Sequence, residues 1–189
     1  MSTHVVTPHT TAPGGPPTVT RLTAAGLDAE ADALGELLAA TVAGGASLGF
    51  LAGLDAAQAA QWWRSLSAEV AAGRLVVWVA HVEGRLAGTV GLAPVAKDNG
   101  RHRAEVVKLM VAPAARGRGV ARRLLDMAEE FAAGAGITLL TLDTETGSPA
   151  ERLYRAAGWT PTGTVPDYAA DPAGKLMPST FFHKTLTPA

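Results

Sequence analysis

Residues 106–128 read VVKLMVAPAARGRGVARRLLDMA, and this stretch decides the fold. The largely apolar run Val106–Val111 predicts a strand that stops at Ala112-Pro113. A loop of arginine and glycine, residues 114–119, then leads into an amphipathic helix that begins near Val120. A strand, a glycine-rich loop and a helix in this order aim backbone N–H groups at one point. That arrangement predicts a binding site for phosphate.

The charges on this helix run against its macrodipole. Arg118, Arg122 and Arg123 lie in or next to its first turns, whereas Asp126 and two glutamates follow later. Acids stabilise a helix N-terminus, so each reversed exposed charge costs roughly 0.3–1 kcal/mol at low salt. No Ser, Thr, Asp or Asn precedes the helix as an N-cap. A bound anion would complete such a helix start; the alternative is an ordinary solvated turn rich in arginine.

The composition limits the classes of protein to consider. With 189 residues, 48% hydrophobic and 17% charged, the chain is expected to be a soluble globular protein. A net charge of −1 gives no reason to expect nucleic acid or a membrane as partner. The absence of cysteine excludes disulfides and thiolate catalysis, and the histidine spacing predicts no metal site. No long apolar run or secretion signal is recognised, so the predicted location is cytoplasmic.

The remaining chain divides into a tail and one domain. Residues 1–17, rich in Thr, Pro and Gly, predict a flexible tail, and residues 18–189 a single domain. The periodicity predicts strands over 18–22, 75–80, 86–95, 102–111, 137–143, 159–165 and 180–185, and helices over 28–42, 55–72, 119–133 and from 149 to a stop at 158. The last two strands flank a loop rich in Pro and Gly.

The helix after the Gly/Arg loop joins two strands, which end at Val111 and Asp143. Such a crossover is right-handed and makes the two strands parallel. We therefore expect an α/β fold with a mixed, mostly antiparallel sheet, one central parallel β-α-β pair and helices on both faces. A capping box, with Ser148 as N-cap, Pro149 at N1 and Glu151 at N3, predicts the start of the following helix.

Two motifs in this frame resemble those of a known family. The segment Arg116-Gly117-Arg118-Gly119-Val120-Ala121 fits the Arg/Gln-x-x-Gly-x-Gly/Ala signature of the Gcn5-related N-acetyltransferase (GNAT) superfamily, and Leu109–Pro113 resembles the strand before it. Residues Ala150–Trp159 resemble the second conserved block, in which a Tyr precedes a Gly-aromatic pair by four residues. Within the family, Leu142–Ser148 and Pro166–Phe182 are similar to the tabtoxin-resistance acetyltransferases. That likeness implies toxin or antibiotic resistance by acetylation of a β-lactam amino acid or a similar small amine.

The family resemblance implies acetyl-coenzyme A as co-substrate, no metal, and direct transfer in a ternary complex. It implies that the pantetheine arm lies between the splayed strands and bonds to the backbone at Leu109 and Val111. The coenzyme-binding residues expected from the loop and the resemblance are Leu109, Met110, Val111, Arg116, Gly117, Arg118, Gly119, Val120, Ala121, Arg122 and Ser148. Gly147 departs from the family, which often has Asn there, and this puts one contact to the coenzyme in doubt.

Acetyl transfer to an amine needs a neutral amine, a stabilised oxyanion and a proton for the leaving thiolate. The resemblance implies that Tyr154 is the general acid; the alternative is a packing role. Asp143, at the end of a parallel strand, and Glu105, on its neighbour, are candidate bases, with Glu145 third. The alternatives are a turn residue for Asp143 and a solvated charge for Glu105. Glu145, Asp167 and Tyr168 are candidates to line the acceptor site.

The chain is therefore predicted to be an N-acetyltransferase that acts on a small-molecule primary amine. The alternatives are an acetyltransferase for protein N-termini or lysines and a non-catalytic acyl-coenzyme A sensor. A homodimer stays open. Residues Gly45–Gly49 match the Gly-x-Ser-x-Gly nucleophile elbow, but they follow a helix rather than a strand. We interpret them as a loop over the acceptor site.

Overall fold

The structure, a computed structural model, describes residues 15–187. Most of the tail predicted for residues 1–17 lies outside the described residues. The strands are β1 Thr18–Arg21, β2 Val76–Val82, β3 Arg85–Pro94, β4 Arg103–Val111, β5 Leu139–Glu145, β6 Thr160–Ala170 and β7 Leu176–Thr185. The helices are α1 Ala24–Ala43, α2 Ala56–Ser65, α3 Ser67–Ala71, α4 Val120–Gly134 and α5 Pro149–Ala156, with short 3-10 turns at Asp98–Gly100 and Pro113–Ala115.

The seven strands form one sheet in the order β1-β2-β3-β4-β5-β7-β6. Only β4 and β5 are parallel, and α4 connects them. Every other neighbouring pair is antiparallel. The predicted fold class, a mixed and mostly antiparallel sheet with one parallel β-α-β pair, is confirmed.

The two parallel strands separate soon after they meet. Their pairing runs only from Arg103 opposite Leu139 to Glu105 opposite Thr141. Beyond Glu105, that edge of β4 pairs with no strand among residues 15–187. The backbone of β4 therefore borders a gap that widens toward the carboxyl ends of both strands.

Helices cover both faces of the sheet. On one face, α4 and α5 share a core with the strands, in which Leu124, Ala128 and Phe182 are buried. On the other face, α1, α2 and α3 pack over Val77, Val79 and other apolar residues. A glycine makes the approach of α1 to α2 possible, because a Cβ on Gly35 would lie 2.5 Å from the carbonyl oxygen of Ala56.

The predicted helix over 55–72 is wrong, because the chain breaks at Leu66 into α2 and α3. Two serines flank the break. Ser65 Oγ donates to the carbonyl oxygen of Trp62 at 2.6 Å, and Ser67 Oγ donates to the carboxylate of Asp28 on α1. Serine hydroxyls that bond locally compete with the helical backbone pattern, and apolar spacing alone does not register that competition.

The predicted loop between the last two strands is also wrong in its extent. Asp167 and Tyr168 lie inside β6, at a bulge between Val165 and Ala169. Pro166 interrupts the pairing there, which an edge strand such as β6 tolerates. Asp167 adopts a φ of +50° at the bulge, a conformation that Asp accepts more readily than most residues.

Candidate active site

The Gly/Arg loop takes the conformation that its glycines allow. After the 3-10 turn, Arg116 is extended and Gly117 and Gly119 have φ values of +74° and +76°. Residues other than glycine rarely adopt such backbone angles, so glycine is strongly favoured at both positions. Gly119 stands at the N-cap position of α4, and no side chain caps the helix. The first N–H groups of α4 have no partner within the helix and point out of its start.

An open cleft of about 380 Å³ lies in front of this helix start, between the loop and α5. Backbone and side chains of the loop form one wall, and Pro149 and Leu153 of α5 form the other. Its lining residues are Val111, Ala115, Arg116, Gly117, Gly119, Val120, Ala121, Arg122, Pro149 and Leu153. Six of the residues predicted to bind coenzyme, all from the loop and the start of α4, line it together with Val111.

Two loop-side arginines also have protein partners. Arg122 Nε donates to Asp126 Oδ1 at 2.7 Å, and this hydrogen bond raises the pKa of Arg122. Arg118 Nη2 lies 3.5 Å from Glu83 Oε1 on the turn between β2 and β3. Arg116 and Arg123 are exposed. The helix start therefore carries a basic surface that is partly matched by nearby acids.

The segment Leu109–Val111 offers its backbone to the gap rather than its side chains. Leu109 and Val111 are half-buried against the core under α4, and Met110 is buried under α1. The side chain of Met110 is thus turned away from the cleft. Contacts to a ligand in the gap would come from the N–H and C=O groups of this segment.

Tyr154 lies on α5, where its side chain is only 6% exposed. Its ring packs against Trp159 and Phe182, with centroids 5.9 and 6.0 Å away. Burial, together with the negative charge of Asp143, raises the pKa of Tyr154 far above its ordinary value. The phenol is therefore protonated throughout the physiological range and can only donate a proton.

One carboxylate fastens α4 to the elements around Tyr154. Glu129 accepts from Trp159 Nε1 at 3.1 Å and from Lys184 Nζ at 2.6 Å. Lys184 Nζ also donates to the carbonyl oxygen of Ala157 at 2.9 Å. The helix that begins at the Gly/Arg loop and the helix that carries Tyr154 are thus joined through Glu129.

Ser148 acts as the N-cap of α5, since its Oγ accepts from the backbone N–H of Glu151 at 3.1 Å. The capping box expected here is only half formed. Glu151 accepts from the N–H of Gly147 at 2.5 Å instead of from that of Ser148. The Arg155 guanidinium, and then this N–H, hold the pKa of Glu151 below its ordinary value. Gly147 has a φ of +81°, so the turn before α5 uses glycine's conformational freedom.

Asp143 links the three residues predicted to be catalytic. Its carboxylate acts electrostatically on Tyr154 and on Glu105. Glu105 pairs with Thr141 across the parallel ladder, and Asp143 follows two residues later on the same side of β5. Glu105 reaches solvent, but protein packed around the rest of its side chain raises its pKa, and the charge of Asp143 raises it further. Tyr154 approaches from the face that carries α4, because Phe182 and α5 belong to that core.

A fourth ionisable group at this place, Lys108, was missed by the sequence reasoning. It lies on β4 with a φ of +53°, in a register shift opposite Val90. Such a conformation costs a non-glycine residue on the order of 1–3 kcal/mol and persists only where the surroundings hold it. Burial lowers the pKa of Lys108, while Glu105 and Asp143 oppose that shift. The available signal was a lone charge inside an apolar strand run.

The segment between α1 and α2, residues 44–55, covers this end of the sheet. Ser47 Oγ donates to the carbonyl oxygen of Ala170 at 3.2 Å, and the N–H of Ala52 donates to that of Pro172 at 2.7 Å. We call it the α1–α2 loop. It is fastened to the β6–β7 turn, and its Ser47 follows a helix rather than a strand. A nucleophile elbow is therefore absent at this position.

The three predicted acceptor-site residues lie at different distances from Asp143. Glu145 is half-buried on β5 and shares the face of Asp143. Tyr168 is 49% exposed, and its ring packs edge-on against Phe181 at 5.0 Å; Phe181 is the cross-strand neighbour of Asp143. Asp167 is exposed on the edge strand β6. Glu145 thus follows Asp143 on one face of β5, Tyr168 contacts the cross-strand neighbour of Asp143, and Asp167 is exposed on the edge strand.

A second groove, of about 530 Å³, lies between α1 and the β2–β3 hairpin. It contains Glu30 and His81, whose side-chain Oε1 and Nε2 atoms are 3.3 Å apart. None of the residues predicted for the site lines it. Among residues 15–187, no three His, Asp or Glu side chains gather as metal ligands do. In the same part of the chain, no helix combines the length and apolar character needed to span a bilayer.

The profile of the acetyltransferase (GNAT) family matches residues 49–159, which is more than half of the chain and includes both the Gly/Arg loop and Tyr154. Fold, loop and profile define one class of protein, an N-acetyltransferase. The chain belongs to the GNAT family.

Individual proteins show the same likeness. The chain is 36% identical over 95 residues to an IAA acetyltransferase of Azospirillum brasilense, covering 49% of this chain and 62% of that relative. It thus spans less than two thirds of this curated relative's length. A ribosomal-protein-alanine N-acetyltransferase from Brucella melitensis is 26% identical, with a TM-score of 0.73 over 89% of this chain and 99% of that one. A phosphinothricin acetyltransferase from Sinorhizobium meliloti, solved in complex with acetyl-coenzyme A, shares the fold at 19% identity, with a TM-score of 0.73 over 90% and 89% of the two chains.

Proposed function

We propose that the chain transfers an acetyl group from acetyl-coenzyme A to a small-molecule primary amine, directly and in a ternary complex. The observation that carries the proposal is that Glu105 and Asp143 lie where β4 and β5 separate, while α5 carries both Tyr154 and one wall of the cleft at the Gly/Arg loop. We propose that Tyr154 is the acid and that Asp143 or Glu105 is the base, next to a site for the anion. That combination suits the acylation of an amine, and it assigns an acid and a base that the family profile alone does not identify.

The residues present fit coenzyme A. Its pyrophosphate needs N–H donors, positive charge and close approach of the backbone; the uncapped start of α4, Arg116 and the glycines Gly117 and Gly119 supply these. Its extended arm needs an unpaired strand edge, and β4 has one from Val106 to Val111. Bound acetyl-coenzyme A supplies the acetyl group as a thioester. The loop, the N–H groups of Leu109 and Val111, and Ser148 at the start of α5 are the groups we propose to hold it.

We propose that Tyr154 keeps its phenolic proton for the departing sulfur. A departing thiolate has a reference pKa near ~8.5 and needs little help, and the protonated phenol supplies a hydrogen bond to the sulfur as charge develops on it. We propose that Asp143 or Glu105 accepts the proton that the attacking ammonium must lose. Glu105 is the better placed for a base, because burial and Asp143 raise its pKa and bring it nearer to the operating pH.

The α1–α2 loop covers the acceptor side, and this favours a small acceptor over a folded protein. The α1–α2 loop is bonded to the β6–β7 turn through Ser47 and Ala52, and we propose that this bonded loop restricts the approach to Asp143. A β-lactam amino acid is our finer proposal, which depends on the likeness of Leu142–Ser148 and Pro166–Phe182 to tabtoxin-resistance enzymes. Acetylation of a protein N-terminus is the second candidate, since a structural neighbour carries the name of such an enzyme.

A thiol-release assay with acetyl-coenzyme A tests the proposal. The acceptor panel would hold β-lactam amino acids, amino-acid amides, simple alkylamines and peptides with free N-termini. We expect turnover with a small amine and little with peptides. Turnover confined to peptides would replace the small-molecule proposal, and the absence of turnover across the panel would remove it. The single domain over 18–189, the cytoplasmic location and a homodimer stay predictions; light scattering measures the oligomeric state.

A further inference from the structure

Lys108 makes specific contacts with the α1–α2 loop and with α2. Its Nζ donates to the carbonyl oxygen of Leu48 at 2.7 Å. The same Nζ lies 5.6 Å from the ring centroid of Phe50 and 5.4 Å from that of Trp62. One partner comes from the α1–α2 loop backbone, one from a loop side chain and one from α2. A cation that bonds to a carbonyl and lies against two aromatic rings is held in a specific place and is not an ordinary solvated side chain.

The backbone of β4 is shaped to aim this side chain. The register with β3 shifts between Val107 and Met110, so that Lys108 and Leu109 share the space opposite one residue of β3. At the shift Lys108 takes its φ of +53°. A bulge re-aims a side chain that strict alternation would have sent elsewhere, and bulges are common next to active sites. Here the bulge directs the ammonium group of Lys108 toward the α1–α2 loop.

The charges that act on Lys108 come from the sheet and not from the α1–α2 loop. Glu105 of β4 and Asp143 of β5 act on it electrostatically. The α1–α2 loop has one ionisable side chain, Asp55 at its end, whose Oδ1 accepts from the N–H of Gln58 as the N-cap of α2. Asp143 acts in turn on Tyr154 of α5. The ammonium group of Lys108 is the charge that bonds to the backbone of this loop, at Leu48.

We propose that Lys108 is a positioning residue that seats the α1–α2 loop on the bulge of β4 while facing the carboxylates of Glu105 and Asp143. One ammonium group then fixes the position of the α1–α2 loop and also contributes to the charge of the acceptor pocket. This inference rests on the proposed function, because it takes Glu105 and Asp143 as the acceptor-side acids. It adds a residue that no part of that proposal requires.

The first test needs no substrate. Lys108→Met removes the charge and keeps the length of the side chain, Lys108→Arg keeps the charge, and Lys97→Met is a matched control on an exposed turn. We expect amide hydrogen exchange in residues 44–54 to rise by at least about tenfold in Lys108→Met. Exchange should stay near the wild-type rate in Lys108→Arg and in the control. Unchanged exchange in Lys108→Met would overturn the seating of the loop.

The second test separates positioning from simple structural support. The charge of Lys108 offsets part of the rise in the pKa of Glu105. Removing that charge should therefore raise the pKa of Glu105 further. The acidic limb of kcat/KM for the amine should move to higher pH in Lys108→Met, whereas the KM for acetyl-coenzyme A should change by less than about twofold. A faster-exchanging loop with an unmoved acidic limb would reduce Lys108 to a structural residue and overturn the coupling.

A further variant keeps the test valid if Lys108→Met does not fold, as judged by circular dichroism. Lys108→Gln loses the charge but retains an N–H donor for the Leu48 carbonyl, and its acidic limb should shift in the same direction. If the wild type acetylates no amine, the proposed function fails on its own. Carboxyl-carbon NMR titration of Glu105 with and without the Lys108 charge then decides the inference; an unmoved titration would overturn it.

Discussion

The two sides of the β4–β5 gap are built in different ways. The side that we propose for coenzyme A consists of backbone: two glycines with positive φ, an uncapped helix start and an unpaired strand edge, all within residues 106–122. The side that we propose for the acceptor consists of side chains from β4, β5 and α5, together with the α1–α2 loop. A site made from contiguous backbone leaves its pattern in the sequence. A site made from distant side chains does so only in part, so the first side could be predicted in more detail than the second.

The sharpest test of the comparison is Asp143→Asn. Because Asp143 acts on Glu105, Lys108 and Tyr154, we expect kcat/KM for the amine to fall by about a hundredfold or more. The charge of Asp143 raises the pKa of Glu105, so its loss lowers that pKa and moves the acidic limb of the remaining activity to lower pH. Asp32→Asn is the control, since Asp32 is exposed and pairs with Arg64 away from the gap. Kinetics over a pH series measure both effects. Full activity in Asp143→Asn would break the acceptor-side assignment.

Tyr154→Phe should have the next largest effect. We expect kcat to fall by at least about tenfold at about pH 8, while coenzyme binding holds, because only the proton donor is lost. The raised pKa of Tyr154 leaves the phenol protonated below and above neutrality, so the loss should not depend on pH in that range. The circular dichroism spectrum of Tyr154→Phe and its affinity for acetyl-coenzyme A are the controls for an intact fold. Unchanged turnover would assign Tyr154 to packing against Trp159 and Phe182.

Arg118→Glu addresses the other side of the gap. We expect the KM for acetyl-coenzyme A to rise by about fivefold and kcat to change less, because the loop holds the coenzyme and not the amine. Arg118 faces Glu83, so the reversal also sets two acids side by side. Arg101→Glu makes the same reversal beside Asp98 on a distant turn. A KM equal in both variants would show that the loop charge does not serve the coenzyme.

The smallest effect concerns salt. Acetyl-coenzyme A should raise the melting temperature, with a stabilisation of about 2.7 kcal/mol at about a hundred times Kd. That gain should shrink between about 50 mM and 500 mM salt at fixed coenzyme concentration, because screening weakens the contact of the arginines with phosphate. Thermal melts without coenzyme over the same salt range serve as the comparison. A salt-independent gain would mean that the backbone N–H groups hold the coenzyme without help from the arginines.

The strand, loop and helix of the proposed coenzyme side could be predicted from the sequence because their determinants are local. Gly117, Gly119 and the arginines stand in one short motif, and helical and strand periods on either side place them. The parallel pair was predicted from the length of the crossover and is confirmed. The break between α2 and α3 at Leu66 was not predicted, because it depends on the hydrogen bonds that Ser65 and Ser67 form in the folded chain.

On the acceptor side the sequence offered residue types without their geometry. Asp143 and Glu105 could be named because they end or neighbour a parallel strand. Lys108 could not, because its role depends on a bulge that turns it toward Leu48, sixty residues earlier in the chain. Tyr168 was placed in a loop because proline at 166 masks a bulged edge strand. Contacts of this kind arise only when the elements have packed.

The gap between β4 and β5 also bears on how the chain avoids aggregation. An unpaired strand edge ordinarily invites pairing with another chain, and edge strands are protected by charge, proline or cover. Here the unpaired edge of β4 lies in the middle of the sheet, with β5 beside it and helices over both faces. A strand from another molecule would have to enter the gap between β4 and β5 from its open end, and its side chains would collide with the helices on both faces. A thin unbranched chain has no side chains that could collide in this way. The sheet can thus keep a hydrogen-bonding edge open without exposing it to its neighbours in solution.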